Sequence, residues 1–211
     1  MNQKIINSTD KISLICGIIG LFGCLSAIVT DIIGIIVVEK HNPISETISA
    51  LAITKYAWIQ DLGLVLFAFG IVMCAIGLFR WRIKKTKWKI GSLLLLLLGI
   101  DIVLIALHNQ YAGREGVGAS IHLQCVIAMA VLFTLTCILL ASGLRKAGRN
   151  WYRYSMATAI FWLVLSPIFF IVPTKIDGAY ERFIALIMLA WVAAISWLLV
   201  KHGRGKLAAI D

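Results

Sequence analysis

The sequence predicts an all-α, polytopic membrane protein: one domain over residues 1–211, built as a bundle of six transmembrane helices. Its mean hydropathy is +0.94, and 61% of the 211 residues are hydrophobic while only 14% are charged. The net charge of +10 is carried by short basic clusters between long apolar runs. This spacing favours the lipid bilayer as the partner and argues against nucleic acid, which would need a continuous basic face.

Six apolar stretches are long enough to cross a bilayer core, which takes about 20 residues of helix. The third, "GSLLLLLLGIDIVLIALH", is the clearest. The fifth contains Pro167, which a membrane helix tolerates as a kink. The predicted spans are about 12–36, 60–79, 90–109, 119–143, 154–172 and 182–200.

Lysine and arginine residues set the orientation. Fifteen of the 20 lie before the first span, in the two basic connections or in the tail, and five lie in the alternate connections. The positive-inside rule therefore predicts cytoplasmic N and C termini, and we expect the plasma membrane of a prokaryote. Trp81, Trp88 and Trp151 are expected at the inner lipid–water boundary. The five cysteines lie inside apolar runs without metal-ligand spacing, which predicts buried packing residues.

Eight of the ten acidic residues, and three of the four histidines, map to the opposite, outer side. The stretch "HNPISETISALA" at residues 41–52 lies there. Asn42 as a cap, Pro43 at the first helical position and Glu46 in the first turn predict a short outer helix over about 43–53. Its apolar stripe would be Ile44, Ile48 and Leu51.

Asp101 lies inside the third span, and His108 follows two turns later on the same face. His122, near the outer start of the fourth span, should lie at a similar depth. A carboxylate within a span faces the bundle interior and is a candidate functional residue. These side chains could ligate a metal through His108 and His122, form an acid/base pair, or only bond one another and the backbone.

Two further polar residues suggest other functions. Asp31 lies in the outer half of the first span, and with Asp101 it would suit a proton-coupled transporter. Ser49, one turn after Ser45, would be a nucleophile only with a base and an oxyanion site, and neither is apparent.

"NPISETISALA" followed by "YAWIQDLG", then "GASIHLQ" and "GAYERF", resembles the six-span family called domain of unknown function 998. The chain is also distantly similar to Frag1/DRAM-type membrane proteins. The resemblance implies that the polar positions typical of the family are Ser49, Trp58, Gln60, His122, Glu181 and Arg182. It brings no established reaction with it.

Three functions remain open. The first is an outward-facing site that binds or processes a lipid or small amphiphile, with Ser49, His122 and Glu181 as catalytic candidates and Arg182, Asp101, His108, Gln60 and Trp58 as binding candidates. The second is a non-catalytic scaffold, and the third is the transporter. The first predicts that Ser49, His122 and Arg182 converge in one pocket. The sequence implies no cofactor and does not indicate an oligomeric state.

Overall fold

A computed structural model of the chain describes residues 2–81, 83 and 85–205, and of residues 2–10 the backbone alone. The described residues form seven α-helices and no strand. They are α1 (Asn2–Val37), α2 (Ile48–Leu51), α3 (Ala57–Arg80), α4 (Thr86–His108), α5 (Val117–Leu144), α6 (Arg149–Leu165) and α7 (Asp177–Gly203). Short 3-10 turns, Asn109–Tyr111 and Ser166–Ile171, extend α4 and α6.

The predicted all-helical class and its six spans are confirmed. Six helical segments are long and apolar enough to cross a membrane, and their limits agree with the predicted spans to within five residues at each end. Large apolar side chains such as Phe22 and Leu163 are exposed on the bundle surface. That surface suits lipid, so the chain is a multi-pass integral membrane protein.

The orientation of the termini stays a prediction, and Arg82, Lys84 and Lys206, which contribute to it, lie outside the described residues. We call the end that carries the connections before α3, α5 and α7 the outer end, after that predicted orientation. Residues 41–52 are called the outer segment.

Neighbouring helices pack in the order α7, α1, α3, α4, α5 and α6, and α7 also contacts α3 and α6. Small residues permit the close packing of α1 against α3. A Cβ built on Gly23 would lie 3.1 Å from the Gly70 Cα atom. Close approach of backbones through small residues is the usual way in which helices associate in lipid, where the hydrophobic effect does not drive them together.

Several aromatic side chains pack together in the bundle core. Trp162 and Trp191 lie edge-on to Phe133, with ring centroids 4.8 and 5.5 Å away. Trp81 and Trp88 were expected at the inner lipid–water boundary. Both are instead buried within the bundle, at 4% and 1% exposure. The Trp88 indole N–H donates to the Leu78 carbonyl at 2.9 Å, because a buried indole needs an acceptor.

Pro167 ends α6 rather than only bending it. The α-helix stops at Leu165 and the chain continues as a 3-10 turn, because proline has no N–H to continue the hydrogen-bond ladder. All five cysteines are free and buried, as the sequence predicts.

The outer helix is much shorter than the predicted 43–53. It is α2, four residues long, and its N-cap is Thr47, whose hydroxyl accepts the Ala50 N–H. Asn42 does not cap it, because its side chain accepts the Ile44 N–H in a local turn. Of the predicted apolar stripe, Leu51 is buried against Gly34 of α1 while Ile44 is 55% exposed.

Candidate functional site

Arg182, in the second turn of α7, forms a bidentate ion pair with Asp31 of α1. Its Nε donates to Asp31 Oδ2 at 3.0 Å and its Nη2 donates to Oδ1 at 3.1 Å. The two side chains are only 16% and 17% exposed. The planar guanidinium matches the two carboxylate oxygens, so this contact fixes α7 to α1 in direction as well as distance.

The same guanidinium also holds the outer segment. Nη1 donates to the carbonyl oxygens of Pro43 and Glu46, both at 2.9 Å, and to Gly178 at 3.1 Å. Nη2 also contacts His41 Nε2 at 3.3 Å. Every guanidinium nitrogen therefore has a partner within the chain. An anionic ligand at Arg182, one of the predicted binding residues, would compete with all of them.

Glu181 holds the outer segment from the neighbouring position. One carboxylate oxygen accepts the Ile48 N–H and the other accepts the Ser49 hydroxyl at 3.4 Å. The Ala179 N–H donates to the Ile44 carbonyl at 2.9 Å. We call Asp31, Glu181 and Arg182 the outer clamp: Asp31 pairs with Arg182, and Glu181 and Arg182 hold the outer segment.

Gly178 completes the outer clamp because it has no side chain. A Cβ built there would overlap the Glu46 carbonyl. The outer segment can lie directly on the start of α7 only with glycine at this position.

His41 is buried inside the outer clamp, with its side chain 2% exposed. Its Nδ1 faces a Glu46 carboxylate oxygen at 3.2 Å, and its Nε2 faces Arg182. Arginine only donates, so Nε2 is the acceptor and Nδ1 carries the proton. Burial lowers the pKa of His41 and Arg182 acts the same way, while the Glu46 and Asp31 carboxylates raise it; the net direction is down.

Ser49, a catalytic candidate, has Glu181 as its side-chain partner. Glu181 also bonds the backbone of α2, so its carboxylate is used to hold the outer segment. A serine nucleophile needs a base that takes its proton and donors that stabilise an oxyanion. The described contacts of Ser49 supply neither a histidine nor such donors.

The third catalytic candidate, His122, belongs to a different group of contacts. It lies on α5, where it interacts with the Ile105 backbone and with His108. One turn along α5, the Cys125 thiol interacts with the Asp101 carboxylate. Contacts therefore bring Ser49, Glu181 and Arg182 together between α1 and α7, while His122 has its contacts between α4 and α5.

We call Asp101, His108, His122 and Cys125 the α4–α5 polar row. Asp101 and His122 are each 8% exposed. Asp101 Oδ2 and His122 Nδ1 have no hydrogen-bond partner among the described residues. A buried polar atom without a partner costs about 1–3 kcal/mol, so such atoms in a native protein call for an explanation.

The remaining predicted positions lie at the start of α3. Gln60 is 3% exposed, and its Oε1 has no partner among the described residues, whereas Trp58 is 63% exposed on the surface. Asp61 accepts a long hydrogen bond of 3.5 Å from Asn109, which is 1% exposed. Sequence reasoning missed Asn109 and Cys125. A polar residue directly after an apolar span was the available signal for Asn109.

Metal ligation by His108 and His122 was one hypothesis drawn from the sequence. Within the described part of the chain, no group of three or more histidine, cysteine, aspartate or glutamate side chains is placed to hold a metal ion. Asp31, a transporter candidate, is held by Arg182 in the outer clamp, whereas Asp101 Oδ2 has no hydrogen-bond partner among the described residues.

Six apolar helices with polar clusters at one end define a polytopic membrane protein. The family model described as "Protein of unknown function (DUF998)" matches residues 21–198, so the chain belongs to this family. No curated protein and no solved structure matches the chain. The distant similarity to Frag1/DRAM-type proteins stays a prediction.

Proposed function

We propose that this protein binds a lipid or small amphiphile from the outer side of the membrane, in the α4–α5 polar row. The observation that carries the proposal is the pair of buried, unpartnered atoms Asp101 Oδ2 and His122 Nδ1. A carboxylate within a membrane span is costly, and such residues mark ligand or ion pathways. The surrounding helices are apolar, so a ligand here would have an apolar part as well as a polar group.

The proposed binding site differs from the arrangement predicted from the sequence. In place of one pocket with Ser49 and Arg182, the α4–α5 polar row binds the ligand, and the outer clamp keeps the neighbouring α1–α7 end closed. We include no covalent step, because the Glu181 carboxylate beside Ser49 is used to hold the outer segment and the described contacts of Ser49 supply no oxyanion donors. In the predicted orientation the row lies on the outer side.

The test is an unbiased identification of bound molecules. The wild-type protein, extracted with its surrounding lipid in polymer-bounded discs, is analysed by native mass spectrometry. We expect one amphiphile class to stay bound to wild type and to be lost in Asp101→Leu and His122→Phe. Glu115→Gln, an exposed acid in the connection before α5, is the matched control and should retain the amphiphile. Equal retention by all four proteins would contradict the proposal.

A scaffold without a ligand is the second candidate, and the outer clamp favours it. All guanidinium nitrogens of Arg182 and both oxygens of Glu181 are used within the chain. If wild type retains no amphiphile, the scaffold becomes the better interpretation of the outer end.

A further inference from the structure

The α4–α5 polar row offers hydrogen-bond acceptors, and this restricts the chemistry of a ligand. His108 is the outermost member. Its Nδ1 lies 2.9 Å from the Leu104 carbonyl oxygen, which can only accept. The proton is therefore on Nδ1, and His108 Nε2 is a free acceptor when the ring is neutral.

The position of the proton on His122 follows in the same way. His122 interacts with the Ile105 backbone, where a carbonyl is the group that favours a proton on the ring, and Nδ1 is the nitrogen without a partner among the described residues. The proton is therefore on Nε2, and Nδ1 is an acceptor. At Asp101, the Cys125 thiol interacts with the carboxylate, and Oδ2, which has no partner among the described residues, is a third acceptor.

The contacts along the row follow the helical repeat. Asp101 lies one helical turn from Ile105, whose backbone interacts with His122, and Cys125 lies one turn from His122 on the antiparallel α5. The two contacts therefore lie on successive turns, about 4.5–6 Å apart along the helices. Two hydrogen bonds of about 2.9 Å span up to about 5.8 Å, so one nitrogen between these turns can donate to an acceptor on each.

The charge of the row also favours one ligand class. No lysine or arginine is among the described groups that interact with Asp101 or His122. An ionised Asp101 would therefore repel an anionic headgroup and attract a cation. Acceptors without donors require a cation that carries N–H groups, which a primary ammonium has and a quaternary ammonium lacks.

We propose that the α4–α5 polar row binds the primary ammonium group of an amphiphile, with Asp101 and His122 as its acceptors and His108 at the entrance. The inference rests on the proposed function and names the ligand class of that site.

The experiment uses three probes with the same twelve-carbon tail: dodecylammonium, dodecyltrimethylammonium and dodecanol. The full-length protein is placed in phosphatidylcholine nanodiscs that carry the three probes in equal amounts. Native mass spectrometry then measures the ratio of the probes retained. We expect dodecylammonium to exceed each of the others by about tenfold or more, since it alone combines charge with N–H donors. In Asp101→Asn the three should approach parity, and Glu115→Gln should keep the wild-type ratio.

The outcomes separate the two proposals. Equal retention of dodecylammonium and dodecyltrimethylammonium, or of dodecylammonium and dodecanol, would overturn the ammonium inference and leave amphiphile binding intact. The same follows if none of the probes binds while a native amphiphile is found on the extracted protein. Absence of both would overturn both. The wild-type ratio alone decides the inference, so it stays testable if Asp101→Asn does not fold.

Discussion

Replacing Arg182 with glutamine should release the outer segment from α7. The substitution removes both prongs of the ion pair with Asp31 and the bonds to the Pro43 and Glu46 carbonyls. Asp31, with its side chain 17% exposed, is then left as a buried and unpaired carboxylate. Removing one partner of a buried pair costs about 3–5 kcal/mol. At 1.4 kcal/mol per factor of ten, local opening should become about a hundredfold to several thousandfold more frequent.

Amide hydrogen exchange in nanodiscs measures that opening directly. The reporters are the N–H groups of Glu46, Ile48 and Ala179, which bond to Asn42, Glu181 and Ile44 respectively. Their exchange should accelerate by the stated factor in Arg182→Gln, while amides in the middle of α5 should not change. Arg114→Gln, which alters an exposed arginine in another outer connection, is the matched control and should leave exchange unchanged.

The double variant Asp31→Leu with Arg182→Leu tests whether the unpaired Asp31 carboxylate causes the loss of stability. Without the orphaned carboxylate, it should be more stable than Arg182→Leu alone, because replacing both partners avoids leaving a buried charge. Exchange in Arg182→Gln that equals wild type would refute the reasoning. It would mean that the Glu181 contacts hold the outer segment without help from the guanidinium.

Three further predictions concern pH and packing. Because the folded protein lowers the pKa of His41, the unfolded state binds more protons in mild acid, and stability should fall as the pH drops below about 6.5. Thermal unfolding at several pH values should show this loss, and His41→Gln should reduce the pH dependence; an unchanged profile would exclude His41 as its source. Gly178→Ala should displace the Glu46 carbonyl and accelerate exchange in the outer segment, and wild-type exchange would show that the backbone moves aside at no cost. Gly143→Ala, whose Cβ would overlap the Trp88 ring, should lower the unfolding temperature without changing the outer segment, and a faster outer exchange would contradict this independence.

The six spans could be predicted because membrane insertion depends on a local property. About 20 apolar residues must satisfy their own backbone groups, and helix is the one structure that lets a single segment do so. The third span, rich in leucine, and the sixth, which opens at Asp177, were therefore recognisable from the sequence. Pro167 was recognised as a disturbance. That the chain leaves the α-helix at Leu165 and continues as a 3-10 turn was not predicted, because proline is compatible with a kinked membrane helix as well as with a helix end.

The outer helix was mispredicted because two local patterns competed. Asn42, Pro43 and Glu46 form an apparent helix start, but the Glu46 carboxylate accepts the Asn42 N–H and stabilises a turn instead. Thr47 is the actual N-cap. Threonine followed by "ISAL" was a usable signal for it.

The sequence by itself determined the class of protein, the number of helices and the concentration of polar residues at one end, because hydrophobicity and charge are summed along the chain. Only the tertiary structure decided which polar residues meet. Asp31 and Arg182 are 151 residues apart, and their pairing depends on the packing of α7 against α1. The same packing gives Arg182 internal partners, whereas the packing of α4 on α5 leaves Asp101 Oδ2 and His122 Nδ1 buried without a partner in the part of the chain that the structure describes. The reason is geometric. Whether a buried polar atom finds a partner depends on which side chains the neighbouring helix places opposite it, and the residues adjacent in sequence do not determine that.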